Sequence, residues 1–382
     1  MQDKHCRFCD KMRAPSKLGL YVHVPFCANR CDYCAFYKET LTPNSFDDYL
    51  LGVKTELSLY KNFVPETIFI GGGTPSFLPE KKLAALMDIL RSYAKNAREF
   101  TVEVSPLSVN RQKLEILKEG GVSRISVGIQ SFNEKVLQTL GRKVSAKKNY
   151  EALDLIASAK FSDFNADFIF AVDTQTTKDF ACDIEIAAKY PLNHISAYCI
   201  EYESKTPLCV GRIATNADEE REANFVEFAA GYLKEHGFYR YEISNYAKIG
   251  CECAHNLGTW NMYEWVGVGS GAASQYNNVR SKNIENLKLW CNALKTNKSF
   301  KVESEKIDNE ELFLSAIIFG LRMVRGVDLN ELAKRFPITD PKKYKPIISD
   351  LVAENLATLQ SGNLRLTKKG LLLADAVALR FC

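Results

Sequence analysis

Apolar residues in the first two-thirds of the chain occur in short runs that alternate with segments of a different spacing. The short runs are rich in β-branched and aromatic residues and predict strands: LYVHVP from Leu20, TIFIGG from Thr67, EFTVEV from Glu99, RISVGI from Arg124, NADFIF from Asn165 and HISAYC from His194. Segments between them, such as KKLAALMDILRSYA and NYEALDLIASAK, repeat apolar residues at helical spacing. About six alternations of strand and helix indicate parallel βαβ units, in a closed or partly open α/β barrel or a doubly wound sheet.

Residues that could bind a ligand or take part in a reaction follow several of these predicted strands. Three cysteines follow the first strand, and GGGTP at 71–75 follows the second. Glu103 and Pro106 end the third strand, while Gln130 and Ser131 end the fourth. Because the carboxyl ends of parallel strands meet at one edge, we expect a single composite site there.

The pattern changes in the last third of the chain. FYRYEISNYAKIG from about 238 predicts a seventh strand, and the glycine-rich VGVGSGAAS follows soon after it. Beyond residue 300, helical segments flank LATLQSGNLRLT, which predicts a hairpin with Gly362 at its turn and hence a winged-helix-like module. We therefore divide the chain into a tail (1–17), a barrel (18–247), a connecting segment (248–300) and a C-terminal domain (301–382).

Composition narrows the class of protein. The chain has 382 residues, 46% hydrophobic and 25% charged, as in soluble globular proteins. A net charge of +4 without a basic block gives no reason to expect a nucleic-acid partner. The polar start MQDKHCRFCDKMRAPSK and the shortness of the longest apolar run lead us to expect a cytoplasmic protein without a transmembrane segment.

The stretch CANRCDYC places Cys27, Cys31 and Cys34 in the spacing Cys-x3-Cys-x2-Cys. Clustered cysteines in a reducing compartment indicate metal or redox ligands and not disulfides. A structural zinc site normally has a fourth protein ligand nearby, and a zinc-binding interaction protein is the alternative interpretation. Three thiolates suit a 4Fe-4S cluster that keeps one iron open to another ligand.

Several further motifs occur in order across about residues 18–275: YVHVPFCANRCDYCAFY, IFIGGGTPSFL, FTVEVSP, RISVGIQSF, LGRK, NADFIF and YEISNYA. Together they resemble the oxygen-independent coproporphyrinogen oxidase family of the radical S-adenosylmethionine superfamily. The resemblance implies a partial (β/α)6 TIM-like barrel and a small C-terminal helical, winged-helix-like domain. It also implies a 4Fe-4S cluster and S-adenosylmethionine as cofactors.

The resemblance assigns roles to individual residues. It implies that Cys27, Cys31 and Cys34 hold the cluster. The residues expected to contact S-adenosylmethionine are Tyr21, Tyr33, Gly72, Gly73, Thr74, Glu103, Gln130, Arg142 and Asp167. A guanidinium suits the carboxylate of this ligand, and acidic groups suit its ribose hydroxyls or its ammonium group.

Two functions occur within this family, oxidative decarboxylation of coproporphyrinogen and delivery of heme by chaperones. The oxidases carry another cysteine two residues after the third, where this chain has Phe36. CECAHNLGTW resembles the HNxxYW segment of the chaperones, so His255 is the predicted heme ligand, although Thr259 replaces the tyrosine. The resemblance therefore favours heme delivery, with coproporphyrinogen oxidation as the alternative.

Other features of the family resemblance concern partners and loops. The implied partners are heme, acceptor hemoproteins such as respiratory enzymes and a low-potential electron donor such as flavodoxin, with a homodimer as a further possibility. AVDTQT from Ala171 stands where relatives read GLPGQT, so we expect a different backbone path there. Whether Cys6, Cys9, Cys251 and Cys253 form a second metal site is left open by the sequence.

Overall fold

The structure, a computed structural model, describes residues 12–382 except 211, 213 and 214. Strands and helices alternate in its first part: β1 (Leu18–Val24), α1 (Ser45–Leu57), β2 (Thr67–Gly72), α2 (Glu80–Ala94), β3 (Glu99–Val104), α3 (Arg111–Glu119), β4 (Arg124–Gln130), α4 (Glu134–Thr139), α5 (Ala146–Ala159), β5 (Asp163–Phe170), α6 (Thr177–Ala187), β6 (His194–Cys199) and α7 (Asn216–Glu235). Strands β1 to β6 are parallel and lie in sequence order. The predicted partial (β/α)6 architecture is confirmed.

Alternation along the strands separates the helix-covered face of the sheet from its inner face. In β1, Leu20, Val22 and Val24 are fully buried in the main apolar core, whereas Tyr21 bonds to His23 on the other face. Helix α2 buries Leu83, Leu86, Met87 and Leu90, the i, i+3, i+4, i+7 pattern of one helix face. Since residues of β2 to β6 line one shared cavity, the sheet curves round a polar interior.

The segment from 239 to 306 extends this sheet at both ends. It contains β7 (Tyr239–Arg240), β8 (Asn245–Ala247), α8 (Ala254–Trp260), β9 (Glu264–Val268), β10 (Ala273–Tyr276), β11 (Val279–Asn283), α9 (Leu287–Lys295) and β12 (Lys301–Lys306). Strand β8 pairs antiparallel with β6, while β9 pairs parallel with β1 and continues into β10, β11 and β12. Residues 248–300, expected to be a connecting segment, therefore contribute strands to the barrel sheet.

Close backbone approach explains why this glycine-rich segment joins the sheet. A β-carbon on Gly267 would lie 2.1 Å from the carbonyl oxygen of Ala273, so only glycine permits the tight β9–β10 pairing. Gly269 has a φ of 106°, which most other residues avoid. Glycine is therefore needed in this segment for close strand pairing at 267 and for a left-handed backbone at 269.

The C-terminal domain has its own apolar core and the element order of a winged helix. It contains α10 (Asn309–Gly320), β13 (Val327–Asp328), α11 (Leu329–Arg335), α12 (Lys345–Ala353), β14 (Ala357–Gln360), β15 (Asn363–Leu366), α13 (Lys368–Leu372) and α14 (Ala374–Leu379). Ser361 and Gly362 both have positive φ between β14 and β15, as in a two-residue type I′ hairpin turn. The predicted turn at Gly362 is confirmed. Among the described residues, no helix is both long and apolar enough to cross a membrane.

A buried carboxylate fixes α8 at the amino-terminal ends of the strands. Glu99, at the start of β3, accepts the backbone N–H groups of Ala254 (2.8 Å) and His255 (3.0 Å). The Arg13 guanidinium binds Glu99 at 3.1 Å and both carboxylate oxygens of Asp163 at 3.0 and 3.1 Å. The residues just before β1 and the start of α8 are thus held by one ionic group at the base of the barrel.

Two helix glycines provide a test of the packing. A methyl group on Gly52 of α1 would lie 2.2 Å from Cζ3 of the fully buried Trp290 on α9. We expect Gly52→Ala to lower the free energy of unfolding by about 1–3 kcal/mol, because the overlap outweighs the helix propensity of alanine. Urea denaturation of purified variants, followed by circular dichroism, measures this change.

Gly231→Ala in α7 is the matched control. Apart from the backbone of its own helix, no atom of the described residues lies within 4 Å of the position that its β-carbon would take. We expect this substitution to raise the free energy of unfolding by roughly 0.5–1 kcal/mol, the usual advantage of alanine over glycine in a helix. Equal effects of the two substitutions would contradict the described α1–α9 contact.

Candidate functional site

The cysteine loop follows β1 and lies at the carboxyl edge of the parallel strands. Cys27 Sγ lies 3.4 Å from Thr74 Oγ1, and Cys31 Sγ lies 3.6 Å from Nη1 of Arg142. The Cys34 N–H donates to the Cys31 carbonyl at 3.2 Å. Asp32, between these cysteines, bonds through its backbone to Leu140 at the end of α4 and to Leu208 beyond β6, and these contacts hold the loop in place.

The GGGTP segment packs directly against the backbone before the first cysteine. Gly73 donates to the Val24 carbonyl at 2.8 Å, and Thr74 donates to the Phe26 carbonyl at 2.7 Å. A β-carbon on Gly73 would lie 2.6 Å from the Phe26 carbonyl oxygen. Glycine is therefore required at 73 because two backbones meet there, and this contact places Thr74 next to Cys27.

Two carboxylates from β3 and β5 lie inside the barrel. Glu103 accepts the Gly72 N–H at 3.2 Å, and burial together with the charge of Asp167 raises its pKa to about 8. Asp167 accepts hydrogen bonds from Asn165 at 2.7 Å and from Ser126 at 3.3 Å, and burial raises its pKa. Both side chains face the cavity while protein surrounds them, so they favour a cationic ligand.

Gln130 is held in an unusual conformation at the end of β4. Its φ is 69°, in the left-handed region, and the register between β4 and β5 shifts beside it. The residues on either side are fixed by buried hydrogen bonds, since Asp183 accepts from Ser131 Oγ (2.7 Å) and Asn149 donates to the Ile129 carbonyl (3.1 Å). These contacts position the Gln130 side chain at the cavity.

Arg142 joins this strand end to the cysteine loop. Its Nη2 donates to the Gly128 carbonyl at 2.6 Å while Nη1 points to Cys31. Its Nε is buried and has no hydrogen-bond partner among the described residues. The guanidinium is thus close to a thiol and retains a donor for another acceptor.

A cavity of about 690 Å³ connects these groups. It lies at the carboxyl edge of the strands and reaches α8 and the C-terminal domain. Most residues predicted from sequence line it: Cys27, Cys31, Tyr33, Cys34, Gly72, Gly73, Thr74, Glu103, Gln130, Arg142 and Asp167. The structure therefore brings these predicted residues together.

Tyr21 and His255 are not on the cavity wall. The Tyr21 hydroxyl bonds to Nδ1 of His23 at 3.0 Å. His255 lies on α8 near the base of the barrel, where its Nδ1 is 2.9 Å from Thr67 Oγ1 and burial lowers its pKa to about 4. This environment gives His255 a hydrogen-bonding role in the fold, and its assignment as a heme ligand stays a prediction.

Of the four cysteines considered for a second metal site, the structure describes two, and their surroundings differ. Cys253 is buried and its thiol donates to Glu99 at 3.3 Å, while Cys251 is half-buried. Cys6 and Cys9 lie outside the described residues. Within the described part of the chain, no three His, Cys, Asp or Glu side chains are grouped round a point that one metal ion could occupy. A 4Fe-4S cluster takes its thiolates on separate irons, so the loop at 27–34 does not need such a point.

Sequence reasoning missed the far wall of the cavity. Tyr198 and Glu201 lie at and just beyond the end of β6, and the rule that located Glu103 could have found them. Trp260 of α8 and Arg322 after α10 also line the cavity. Arg322 carries no sequence signal, because nothing in its spacing relates it to the cysteine loop nearly 300 residues earlier.

The loop after β5 begins with a residue in the left-handed region, although that residue is not glycine. Ala171 adopts a φ of 62°, so the absence of glycine does not prevent a left-handed backbone there. Nη1 of Arg221 donates to the carbonyls of Ala171 (2.8 Å) and Val172 (3.2 Å). These hydrogen bonds stabilise a conformation that alanine alone disfavours.

Comparisons with known proteins agree with this architecture. Residues 21–185 match the family model described as Radical SAM superfamily, and residues 307–373 match the HemN C-terminal domain. The solved structure titled coproporphyrinogen III oxidase (HemN) from Escherichia coli has a TM-score of 0.81 with 20% sequence identity. That match covers 96% of this chain and 90% of the solved chain, and it shows the shared fold.

Relatives with higher sequence identity to this chain are named heme chaperone HemW. The heme chaperone HemW of Bacillus subtilis is 31% identical over 369 residues, which cover 94% of this chain and 97% of that protein. HemW of Mycobacterium tuberculosis is 30% identical over 374 residues, covering 94% and 93% of the two chains. The chain belongs to the HemW family of the radical S-adenosylmethionine superfamily.

Proposed function

We propose that this protein is a heme chaperone, which binds heme and transfers it to acceptor hemoproteins. The observation that carries the proposal is the similarity, over nearly the whole chain, to proteins named heme chaperone HemW. The cavity supports it, because it extends beyond the Glu103 and Gln130 region to Arg322 of the C-terminal domain.

The cysteine loop and the strand ends are the proposed cofactor site. Cys27, Cys31 and Cys34 would hold a 4Fe-4S cluster, which supplies an electron when it is bound. Thr74 Oγ1 lies within hydrogen-bond distance of Cys27 Sγ, and Nη1 of Arg142 donates toward Cys31 Sγ, so both sulfurs have a polar neighbour.

S-adenosylmethionine is the proposed ligand of the cavity next to these thiols. The carboxylates of Glu103 and Asp167 would balance its positive charge, and the free Nε of Arg142 would serve its carboxylate. Tyr33 and Gln130 line the same wall, and Gly72 and Gly73 leave room beside it. Tyr21 does not line this wall, and its hydroxyl bonds to His23, so any contact that it makes with the ligand would be indirect.

The position of Phe36 argues against the competing oxidase function. It stands where the oxidases carry an additional cysteine, and its side chain is 71% exposed at the cavity mouth. Coproporphyrinogen oxidation remains the second candidate because the HemN structure shares this fold along nearly the whole chain.

The proposal includes partners outside the chain. We expect the protein to act in the cytoplasm, to receive electrons from a low-potential donor such as flavodoxin, and to deliver heme to acceptors such as respiratory enzymes. Lys38 and Lys143 at the cavity mouth would favour an acidic donor surface. A homodimer is also proposed, and its test is the mass of the purified protein in solution.

Removal of any one cluster ligand is expected to abolish cluster assembly. Cys27→Ala, Cys31→Ala and Cys34→Ala should each lose most of the iron and sulfide that the parent protein retains after anaerobic reconstitution, since two thiolates remain. Cys182→Ala is the matched control, because this exposed cysteine lies on α6 away from the cavity. Full iron and sulfide in any of the three loop variants would contradict the assignment.

A parallel assay separates the two candidate functions. Anaerobically reconstituted protein is given reductant and S-adenosylmethionine, then tested for coproporphyrinogen III turnover and for heme binding by absorbance titration. We expect stoichiometric heme binding without decarboxylation, because the Phe36 position lacks the additional cysteine. Formation of protoporphyrinogen would overturn the chaperone proposal.

S-adenosylmethionine binding should depend on pH through Glu103. With a pKa of about 8, this carboxyl is mostly protonated at pH 7 in the free protein, and a cationic ligand would ionise it. We therefore expect affinity to rise with pH up to about 8 and then to level off. Calorimetry at pH 7 in buffers of different ionisation enthalpy measures the released protons.

Glu103→Gln should bind more weakly and release up to one proton fewer than the parent protein. Glu203→Gln is the control, since Glu203 lines the same cavity but is exposed to solvent. Unchanged proton release in the Glu103 variant would show that this carboxyl does not respond to the ligand.

A further inference from the structure

The cavity has a second end, where the barrel meets the C-terminal domain. We call it the junction end and define it by Glu242, Ser244, Asn256, Trp260 and Arg322. These residues come from the β7–β8 turn, from α8 and from the segment after α10. The proposed cofactor contacts account for the opposite end of the cavity and leave this one without a ligand.

Arg322 is the cation of the junction end. Its Nη1 bonds to Asp375 at 2.8 Å, and its guanidinium carbon lies 5.2 Å from the centre of the Trp260 ring. Its Nε is buried and lacks a hydrogen-bond partner among the described residues, as does Nε1 of Trp260. A guanidinium held against an aromatic face is well oriented to bind a planar carboxylate.

The ion pair with Asp375 is weak, so it does not prevent Arg322 from binding another carboxylate. The Asp375 side chain is 84% exposed, and such surface pairs contribute about 0–1 kcal/mol. The carboxylate of a ligand could therefore replace Asp375 as the partner of Arg322 with little loss of free energy. Such a ligand would reach Arg322 from the cavity side, whereas Asp375 approaches from solvent.

The acidic side chains near Arg322 offset only part of its positive charge. Glu242 is fully buried, accepts a hydrogen bond from Asn245 and pairs through its backbone with Met323, next to Arg322. Burial raises the pKa of Glu242 and of Glu201, so both hold a proton more tightly than an exposed carboxyl. The junction end can therefore accept a negative group near Arg322.

The junction end has an aromatic side chain on which a flat ligand could pack. Trp260 presents an indole surface that also packs near Phe319, with ring centres 6.0 Å apart. Thr259, which stands where the HNxxYW segment has tyrosine, lines the cavity with a small side chain. An apolar plane with a carboxylate at its edge would meet an aromatic wall and a cation together.

We propose that the junction end binds the propionate edge of heme, with Arg322 as the carboxylate partner and Trp260 as the wall beside the porphyrin ring. The inference rests on the proposed heme-binding function and names the part of the cavity that performs it. It also assigns the C-terminal domain a direct contact with the ligand through Arg322.

Esterified heme tests the proposal. Reconstituted full-length protein is titrated with heme and with heme dimethyl ester, in which both propionates are neutral. The parent protein should bind heme at least about tenfold more tightly than the ester, as expected for one charge-assisted contact. Arg322→Gln should lose this preference by weakening heme binding and leaving ester binding unchanged, and Arg322→Lys should retain part of it.

Asp375→Asn is the matched control, because it removes the same ion pair without changing the cavity wall. It should bind heme as tightly as the parent protein or more tightly. The proposal fails if Arg322→Gln binds heme like the parent, if it loses heme and ester affinity equally, or if Asp375→Asn reproduces its loss. Failure of the parent protein to bind heme at all would instead overturn the proposed function, and the inference with it.

Discussion

The buried carboxylate of Glu99 holds the base of the barrel together, because it accepts the first N–H groups of α8 and binds Arg13. A helix that begins inside a protein exposes N–H groups that water cannot satisfy, and Cys253 at its N-cap supplies no side-chain acceptor. Glu99 supplies that acceptor from a neighbouring strand. The position of α8 determines where Trp260 lies, so the far wall of the cavity depends on this contact at the opposite end of β3.

The two ends of the cavity therefore favour ligand groups of opposite charge, and different parts of the fold provide them. At the strand edge, Glu103 and Asp167 lie within the barrel and favour positive charge. At the junction, Arg322 comes from outside the barrel and favours negative charge. A parallel barrel alone could provide only the first end. The C-terminal domain adds the second, as residues 323–324 pair with the backbone at 241–242.

Much of the strand-edge site could be predicted because its chemistry follows a general rule of parallel sheets. Glu103, Gln130 and Asp167 are distant in sequence, yet each lies in the last part of a parallel strand, and such ends converge. No such rule relates Arg322 to them, since its place depends on how two domains pack. The strands of 248–300 were missed for another reason, because glycine-rich composition does not distinguish a loop from tightly paired strands such as those at Gly267.

Near the carboxyl edge of the strands, three residues have positive φ angles, and two of them are not glycine. Gly72 has a φ of 102°, and Gln130 and Ala171 adopt left-handed conformations at 69° and 62° without being glycine. At the two residues that are not glycine, side chains from outside the strand supply hydrogen bonds that hold the backbone in place. Asp183 and Asn149 fix the residues beside Gln130, and Arg221 binds the Ala171 carbonyl. Strain of this kind persists only where surrounding contacts oppose it. The helices behind β4 and β5 thus shape the cavity that their strands line, although none of Asp183, Asn149 and Arg221 lines it.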